Sequence, residues 1–552
     1  MKINKLRFLI LSLLILCLCS LSSAAEAGKV PYSESLPVDL AHVLSDTARE
    51  GDPLIRPATG TYSVSRRSVL ASAFEMLGWG HELSLAEKLC QGQGLACLSR
   101  FTTPCPPHVF LDFPDENLAG NDLTAILDWI RACRESIAWD LTLSGGTARL
   151  RIHRNGIALP GNPWEIRLQE NLDESGAFRE LHELSSTGFP VALRKTGQDL
   201  YSLVVGPFAT FTEAGKTFAA LPPFPGMHLA PAPVFPGESP LFWAAILTDD
   251  LESIPLIRFA SETGTSRADL SALAAAFGAE AGINGGFFSG QLPIGTLVVE
   301  GALLRGPQWE RSAIGLGRGT PPVFGNGFLS LLLEGPLRGQ LLDRFNELPR
   351  ENEISIFIEN GHFPLSPLPE SGDFLAVPVT VEIRGSLSLA PQKGTLIARG
   401  TKAEVVRGLL PGMKVEVLAQ WKDPALYGRD LVLQAGPRLL ENGVECSAPE
   451  AFDEKTRLLK HPRTFVGWDG RSTWWTVVDG RNPSHSLGLT LQETAGLARS
   501  LGLTDAMNLD GGGSSSLWWQ GSLINLPSDG KERPLPYAIL FGIPSSPGSL
   551  LK

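Results

Sequence analysis

The residues with the clearest capacity for chemistry crowd into the C-terminal part of the chain. Ala506-Met-Asn508-Leu-Asp510-Gly511-Gly512-Gly513-Ser514-Ser515-Ser516 sets a carboxylate against three glycines and three hydroxyls, and Leu517-Trp518-Trp519 reads as a returning strand. Glycines let consecutive amide N–H groups converge on an anionic oxygen, and the Ser514 and Ser515 hydroxyls add donors. Asn508 and Asp510 are two apart, so on an extended strand they share a face. Upstream, His461-Pro462-Arg463-Thr464 and Val478-Asp479-Gly480-Arg481 supply two guanidinium forks suited to phosphate oxygens, and a second carboxylate at a strand end suited to acid or base work. The competing reading pairs either arginine with Asp479 in a structural network. Earlier still, Gly282-Ile283-Asn284-Gly285-Gly286-Phe287-Phe288 joins an amide that both donates and accepts to two glycines that admit a ligand against backbone. By itself, Asn-Gly is first a turn signal. Five of the 12 tryptophans fall between 468 and 519, which suits stacking on sugars. Trp474 and Trp475 are strand neighbours and face opposite ways, so core packing is the better account for most of them.

These residues need strands to present them. From 241 to the end strand-like stretches dominate, with two helices. One spans 268–278, with Leu270, Leu273, Ala274 and Phe277 on one face; the other follows a Thr490/Glu493 capping box, buries Leu491, Ala495, Ala498 and Leu501, and stops at Gly502. The expectation for 241–552 is a mixed α+β, strand-rich catalytic domain.

The remainder is multidomain. The 552 residues are 43% hydrophobic and 19% charged, a globular composition too long for one domain. A net charge of -11 excludes broad electrostatic binding to nucleic acid. Residues 1–27 have a signal-peptide layout: Lys2, Lys5 and Arg7, an apolar run from Phe8 to Leu18, then small residues. Export to the periplasm, cell envelope or exterior is expected, with no transmembrane anchor after cleavage. Residues 28–61 read as a linker and 62–142 as a helical module, with Val69, Leu70, Ala73, Leu77 and then Leu123, Ile126, Leu127, Ile130 at helical spacing. Cys90, Cys97, Cys105 and Cys133 lie within that module, with two disulfides, free thiols and a metal as the open readings; Cys446 stands alone. Between 160 and 223 an offset of 37 superposes Ile166 on Leu203, Leu168 on Val205, Ala177 on Ala214, Leu181 on Phe218 and Leu184 on Leu221. Each half is strand then helix, giving a small ferredoxin-like βαβ-βαβ unit. A proline-rich linker at 224–240 closes it.

Three resemblances follow. Ser65-Arg-Arg-Ser68 with Leu77-Gly78 resembles a degenerate surface-layer-homology repeat. Tyr201-Ser-Leu-Val-Val-Gly-Pro-Phe208 with Glu213 and Ala214 resembles the SPOR (sporulation-related repeat) family, which implies peptidoglycan as a partner through 160–223. Asn284-Gly-Gly-Phe-Phe288, Arg311-Ser-Ala-Ile-Gly315, Gly436-Pro-Arg-Leu-Leu440, Pro462-Arg-Thr464, Val478-Asp-Gly-Arg481, Asn508-Leu-Asp-Gly-Gly-Gly-Ser-Ser515 and Pro527-Ser-Asp-Gly-Lys-Glu-Arg533 together resemble the phosphodiester glycosidase family. That implies hydrolysis of a sugar-1-phosphodiester, of the N-acetylglucosamine type, with the sugar released and a phosphomonoester left. Two departures leave the sugar open: His485 stands at a tyrosine-like position, and 366–430 is poorly covered by the motifs.

Residues and resemblance together nominate Asp479, Asp510, Arg463 and Asn508 for catalysis. They nominate Asn284, Gly285, Gly286, Thr464, Arg481, Gly511, Gly512, Gly513, Ser514, Ser515 and Arg533 for substrate binding. No P-loop, H-E-x-x-H or Rossmann fingerprint occurs, and neither cofactor nor metal is expected. The competing functions are an inactive phosphoglycan-binding protein and a structural envelope protein; two carboxylates, Asp479 and Asp510, favour the enzyme.

Overall fold

The computed structural model describes residue 44 and residues 61–543, apart from 147, 158–163, 186–190, 198–199, 209–210, 223, 225, 232–238, 307, 359–373, 447–449, 451, 454–455, 458 and 483. The signal segment, nearly all of the linker at 28–61 and much of the proline-rich linker lie outside the described residues. The chain divides into two compact units, Met1–Ile137 and Ala138–Lys552.

In the first unit, helices Arg66–Met76, Gly80–Leu89, Gly94–Phe101, His108–Asp112 and Gly120–Glu135 bury the two apolar stripes read from the sequence, Val69 to Leu77 and Leu123 to Ile130. Ser65 caps the helix Arg66–Met76 by accepting from the Ser68 N–H. Of the clustered cysteines, Cys90 and Cys97 form a disulfide across the turn between two helices, while Cys105 and Cys133 are thiols. Burial pushes the Cys133 thiol up.

The second unit is built around ten strands: β1 (Ala138–Gly145), β2 (Ala148–Asn155), β3 (Leu241–Thr248), β4 (Ala281–Asn284), β5 (Arg438–Glu441), β6 (Arg463–Trp468), β7 (Thr473–Val478), β8 (Asp505–Asn508), β9 (Leu517–Trp519) and β10 (Tyr537–Phe541). One antiparallel sheet runs β1-β2-β3-β7-β6-β8-β5. A second runs from Leu256–Phe259 through β10, β4 and β9 to Ser522–Leu523. The first sheet therefore takes in strands well before residue 241, because the hairpin β1-β2 pairs with β3. Central strands covered on both faces lose their alternation and become continuous apolar runs, as Phe-Trp-Ala-Ala-Ile-Leu in β3 and Trp-Trp-Thr-Val-Val in β7 show.

Two helices seal the outer faces. Helix α1 (Leu270–Ala276) packs Leu270, Leu273 and Ala274 against Trp518, Ala538 and Leu540 of the second sheet. Helix α2 (Leu491–Ser500) packs Leu491, Ala495 and Ala498 against Phe465, Trp474 and Ala506 of the first. Between the sheets, Trp475 meets Phe541 edge-on at 5.8 Å, so the layers are helix, sheet, sheet, helix. Trp474 and Trp475 do face opposite ways, and Trp474, Trp475, Trp518 and Trp519 are all buried in the core.

Two further bodies attach to this sandwich. Residues 164–231 form β-α-β-β-α-β with an antiparallel sheet in the order Val191–Gly197, Leu200–Phe208, Trp164–Leu172, His228–Pro231. The residues superposed by the repeat share its core: Ile166, Leu168, Leu203 and Val205 are buried, with Leu181, Leu184 and Phe218 packed on them. Residues 297–434 hold a five-stranded and a six-stranded sheet, the latter containing most of the 366–430 stretch. Their shared core includes Leu329, Ile356, Val381, Leu396, Val417 and Trp421.

The Thr490 hydroxyl accepts from the Glu493 N–H, and the Glu493 carboxylate accepts from the Thr490 N–H at 2.8 Å, closing the capping box. Thr490→Ala is expected to cost about 1 kcal/mol in urea unfolding, with m unchanged.

Candidate active site

Strand ends converge at one edge of the sandwich. Because β6 runs antiparallel to β7 and β8, its start at Arg463 and Thr464 lies beside their ends at Val478 and Asn508. Strand β4 of the other sheet ends at Asn284. Two fully buried side chains tie these ends together. The Asn284 amide donates to the Asp510 carbonyl (2.7 Å) and its oxygen accepts from the Thr464 hydroxyl (2.9 Å) and the Ser516 N–H (3.2 Å). The Ser515 hydroxyl lies 3.1 Å from that of Thr464. The Asp479 carboxylate accepts from His485 Nε2 (2.8 Å), the Asn525 amide (2.8 Å) and the Leu526 N–H (2.7 Å).

This lock holds the 509–516 loop, from which Asp510 emerges half-buried. Burial is the main influence on its carboxyl, which is pushed up to about 6 against the opposing pull of the Ser514 hydroxyl, Arg533 and the Gly511 N–H. Tyr537, 1% exposed, packs its ring against Gly285, whose carbonyl accepts from the Asp510 N–H at 3.3 Å. A side chain on Gly285 would collide with the Tyr537 ring, and one on Gly286 would sit 3.2 Å from its hydroxyl. Burial, with the negative charge of Asp510 second, pushes the Tyr537 phenol up.

Two guanidiniums face the glycine loop. Arg481 adopts the left-handed conformation (φ 61°) immediately after Gly480, where any side chain would come within 2.6 Å of the Pro462 nitrogen. Its Nη2 lies 3.1 Å from His461 Nδ1 and rests over Gly512, 3.2 Å from where a Cβ would stand. Arg533 pairs with Asp529 (2.8 Å) and reaches the Ser514 hydroxyl (3.4 Å). A side chain on Gly513 would meet the tips of Asp529 and Arg533 and displace that ion pair. Burial lowers the Arg481 guanidinium, with Asp529 opposing and Arg533 reinforcing. Two guanidiniums and a serine hydroxyl beside the glycine loop are groups of the type that hold phosphate oxygens.

The structure thus brings together Asp510, Arg481, Gly511, Gly512, Gly513, Ser514 and Arg533. It assigns the other nominated residues different work. Arg463, read above as a phosphate ligand, is buried and donates to the carbonyls of Leu489 (2.7 Å), Thr456 (2.8 Å) and Leu459 (2.9 Å). It sits one residue before Thr464 on β6 and so points to the opposite face; burial and Arg481 push it down to about 10. Asn508 shares that face and donates to the carbonyls of Gly436 and Leu509. Asp479 is 1% exposed, and both of its oxygens accept hydrogen bonds within the lock. Asn284, Thr464 and Ser515 belong to the same lock, and Gly285 and Gly286 make room for Tyr537. Sequence reasoning missed Tyr537 and Asn525. The paired glycines at 285 and 286 signal close packing against something, but not that the something is a tyrosine over 250 residues away.

Fold and site define a layered α+β protein with two arginines and a serine hydroxyl clustered beside a carboxylate of raised proton affinity. Within that frame, a family model described as phosphodiester glycosidase matches residues 372–542, a span containing every member of the assembled cluster. The SPbeta prophage-derived uncharacterized protein YomE of Bacillus subtilis (strain 168) is 38% identical over 87 residues, 16% of this chain and 13% of that protein, so the chain spans only a small part of this relative. Among solved structures, a putative exported protein of Burkholderia pseudomallei K96243 has a TM-score of 0.55 at 19% identity, covering 73% of this chain and 96% of its own; the two share a fold. A hypothetical protein from Synechocystis gives 0.46 at 17%, covering 73% and 77%. The zebrafish N-acetylglucosamine-1-phosphodiester alpha-N-acetylglucosaminidase catalytic domain, auto-inhibited by its pro-peptide, gives 0.31 at 15%, covering 55% and 77%.

The two carboxylates should respond oppositely to mutation. Asp479→Ala strands buried donors on Asn525 and Leu526 and is expected to cost about 3 kcal/mol or more in denaturant unfolding. Asp510 binds its proton more tightly folded than unfolded, so its ionisation removes stability as pH rises from its ordinary value of 3.8 to about 6. Asp510→Asn is therefore expected to be no more stable than the wild type at pH 3.5 and to gain up to about 3 kcal/mol over it by pH 7. A constant difference across that window would refute the burial account of Asp510.

Proposed function

We propose that the chain is a hydrolase of sugar-1-phosphodiesters of the N-acetylglucosamine type, exported to the cell envelope. The observation that carries this reading is the juxtaposition of Asp510 with Arg481, Arg533 and the Ser514 hydroxyl around the 511–513 glycines, inside the segment that matches the phosphodiester glycosidase model. A phosphodiester is already a good leaving group, so the chemical demand is to neutralise it and to deliver water to an oxocarbenium-like carbon. The two guanidiniums hold the phosphate oxygens. Asp510 takes a proton from water as the water oxygen bonds to the anomeric carbon; the bond from that carbon to the phosphate oxygen breaks, and its electron pair leaves with the phosphomonoester. Asp510 must be ionised to act, so kcat/KM rises with pH through about 6.

The remaining domains extend the proposal. The signal-peptide layout of 1–27 supports export. The β-α-β-β-α-β unit at 164–231, with its Val205-Gly-Pro-Phe208 segment, supports targeting to peptidoglycan glycan strands.

The test uses the full chain and N-acetylglucosamine-1-phosphate methyl diester. Release of N-acetylglucosamine with a pH limb near 6 is expected, with a loss of at least about 100-fold in kcat for Asp510→Asn and Arg481→Ala, both still folded by circular dichroism. Full turnover by folded Asp510→Asn would defeat the assignment. Sedimentation with sacculi stripped of stem peptides, and not with intact ones, is the outcome expected of the targeting unit.

A further inference from the structure

One aromatic cluster near the site has no place in the chemistry above. Arg311 is packed among three rings: its Cζ lies 4.0 Å from the Phe452 ring centre, 4.6 Å from Trp309 and 5.6 Å from Phe287. Phe287 and Phe452 approach each other to 5.6 Å. Phe287 and Phe452 are half-buried, yet Trp309 is 41% exposed, whereas Trp474, Trp475, Trp518 and Trp519 are buried. A large ring left in water loses the gain that burial would bring.

The backbone beneath Trp309 is held from both sides. Gln434, 2% exposed, donates its amide to the carbonyls of Trp309 (2.8 Å) and Arg311 (3.2 Å), and its own oxygen accepts from the Thr296 N–H (2.8 Å). On the other side, Gln308 donates to Glu347 (2.7 Å), which is fixed by the fully buried Arg305 (2.8 Å). Buried polar networks of this kind are costly unless fully satisfied, and here they immobilise a loop whose most exposed feature is an indole. A rigid, partly exposed aromatic has already lost the conformational freedom that binding would otherwise take from it. Arg311, 4.6 Å from the ring centre, packs against the indole and helps to fix its orientation.

Position gives the orientation. Phe287 lies two residues from Gly285, whose carbonyl accepts from the Asp510 N–H at 3.3 Å. The arginines reach Asp510 through Gly512 and Ser514, on the loop side. Resting on the hydrolase reading above, we infer that Trp309, backed by Arg311 and Phe452, is the platform on which the glycosyl ring of the substrate stacks, with its anomeric carbon at Asp510 and its phosphate toward Arg481 and Arg533.

The experiment compares wild type, Trp309→Ala and Trp309→Phe as full chains on two probes, N-acetylglucosamine-1-phosphate methyl diester and the corresponding nitrophenyl diester. Trp309→Ala is expected to raise KM about tenfold on both with kcat within about twofold, and Trp309→Phe to recover most of the loss. An unchanged KM on both probes overturns the platform and leaves the hydrolase reading standing. A defect confined to the nitrophenyl diester also overturns it, since Trp309 would then read the group beyond the phosphate. If the wild type cleaves neither probe, intrinsic fluorescence is titrated with N-acetylglucosamine-1-phosphate. Saturable quenching lost in Trp309→Phe keeps the platform while the hydrolase reading falls, and no quenching removes both.

Discussion

Everything at the candidate site depends on one buried carboxylate that ties loops to a strand end. Asp479 sits where β7 of the first sheet ends, and its two oxygens take three hydrogen bonds from His485, Asn525 and the Leu526 backbone. Asn525 in turn donates to the Ser515 carbonyl and accepts from the Leu517 N–H. The carboxylate thereby pins the return strand β9, and with it the glycine loop, to the first sheet. Asn284 performs the complementary task from the second sheet, holding the Asp510 carbonyl and the Ser516 N–H. Removing a charged acceptor from such a place leaves its donors stranded in a low dielectric, which is why this polar lock is stringent about residue type.

Burial separates the polar residues that tie the strand ends together from those the proposed reaction uses. Asp479 and Asp510 are both aspartates beside a glycine near a strand end, and their surroundings divide them. Asp479 faces donors that saturate it. Asp510 faces fewer donors and a buried phenol, so its proton affinity rises into the range useful to a base at neutral pH. The arginines divide in the same way: Arg463 is spent on three carbonyls, whereas Arg481 rests over Gly512 and Arg533 reaches Ser514 on the glycine loop.

The layered sandwich leaves its strand ends free to carry loops from distant parts of the chain. The 297–434 insertion uses this freedom: Gln434 at its last strand reaches back to hold the Trp309 and Arg311 carbonyls, beside the Phe287 that follows β4. A body with its own core thus contributes side chains near a carboxylate that lies outside it.

Much of this was legible in the sequence. Helices α1 and α2, the Thr490 capping box, the stripes at 69–77 and 123–130 and the repeat within 164–221 follow from local spacing, because an amphipathic element carries its burial pattern in its own residues. The Asp510–Ser514 cluster was also legible, since three glycines between a carboxylate and hydroxyls have few structural uses. What the tertiary structure alone decided was pairing at long range and the direction of each side chain. That β1-β2 joins β3, that Gly285 and Gly286 accommodate Tyr537, and that Arg463 turns away while Arg481 turns in all depend on strand register and on which face of β6 meets which layer. Composition and spacing name the polar groups available to the site; only the packing of the two sheets determines which of them are saturated by their neighbours and which remain for a substrate.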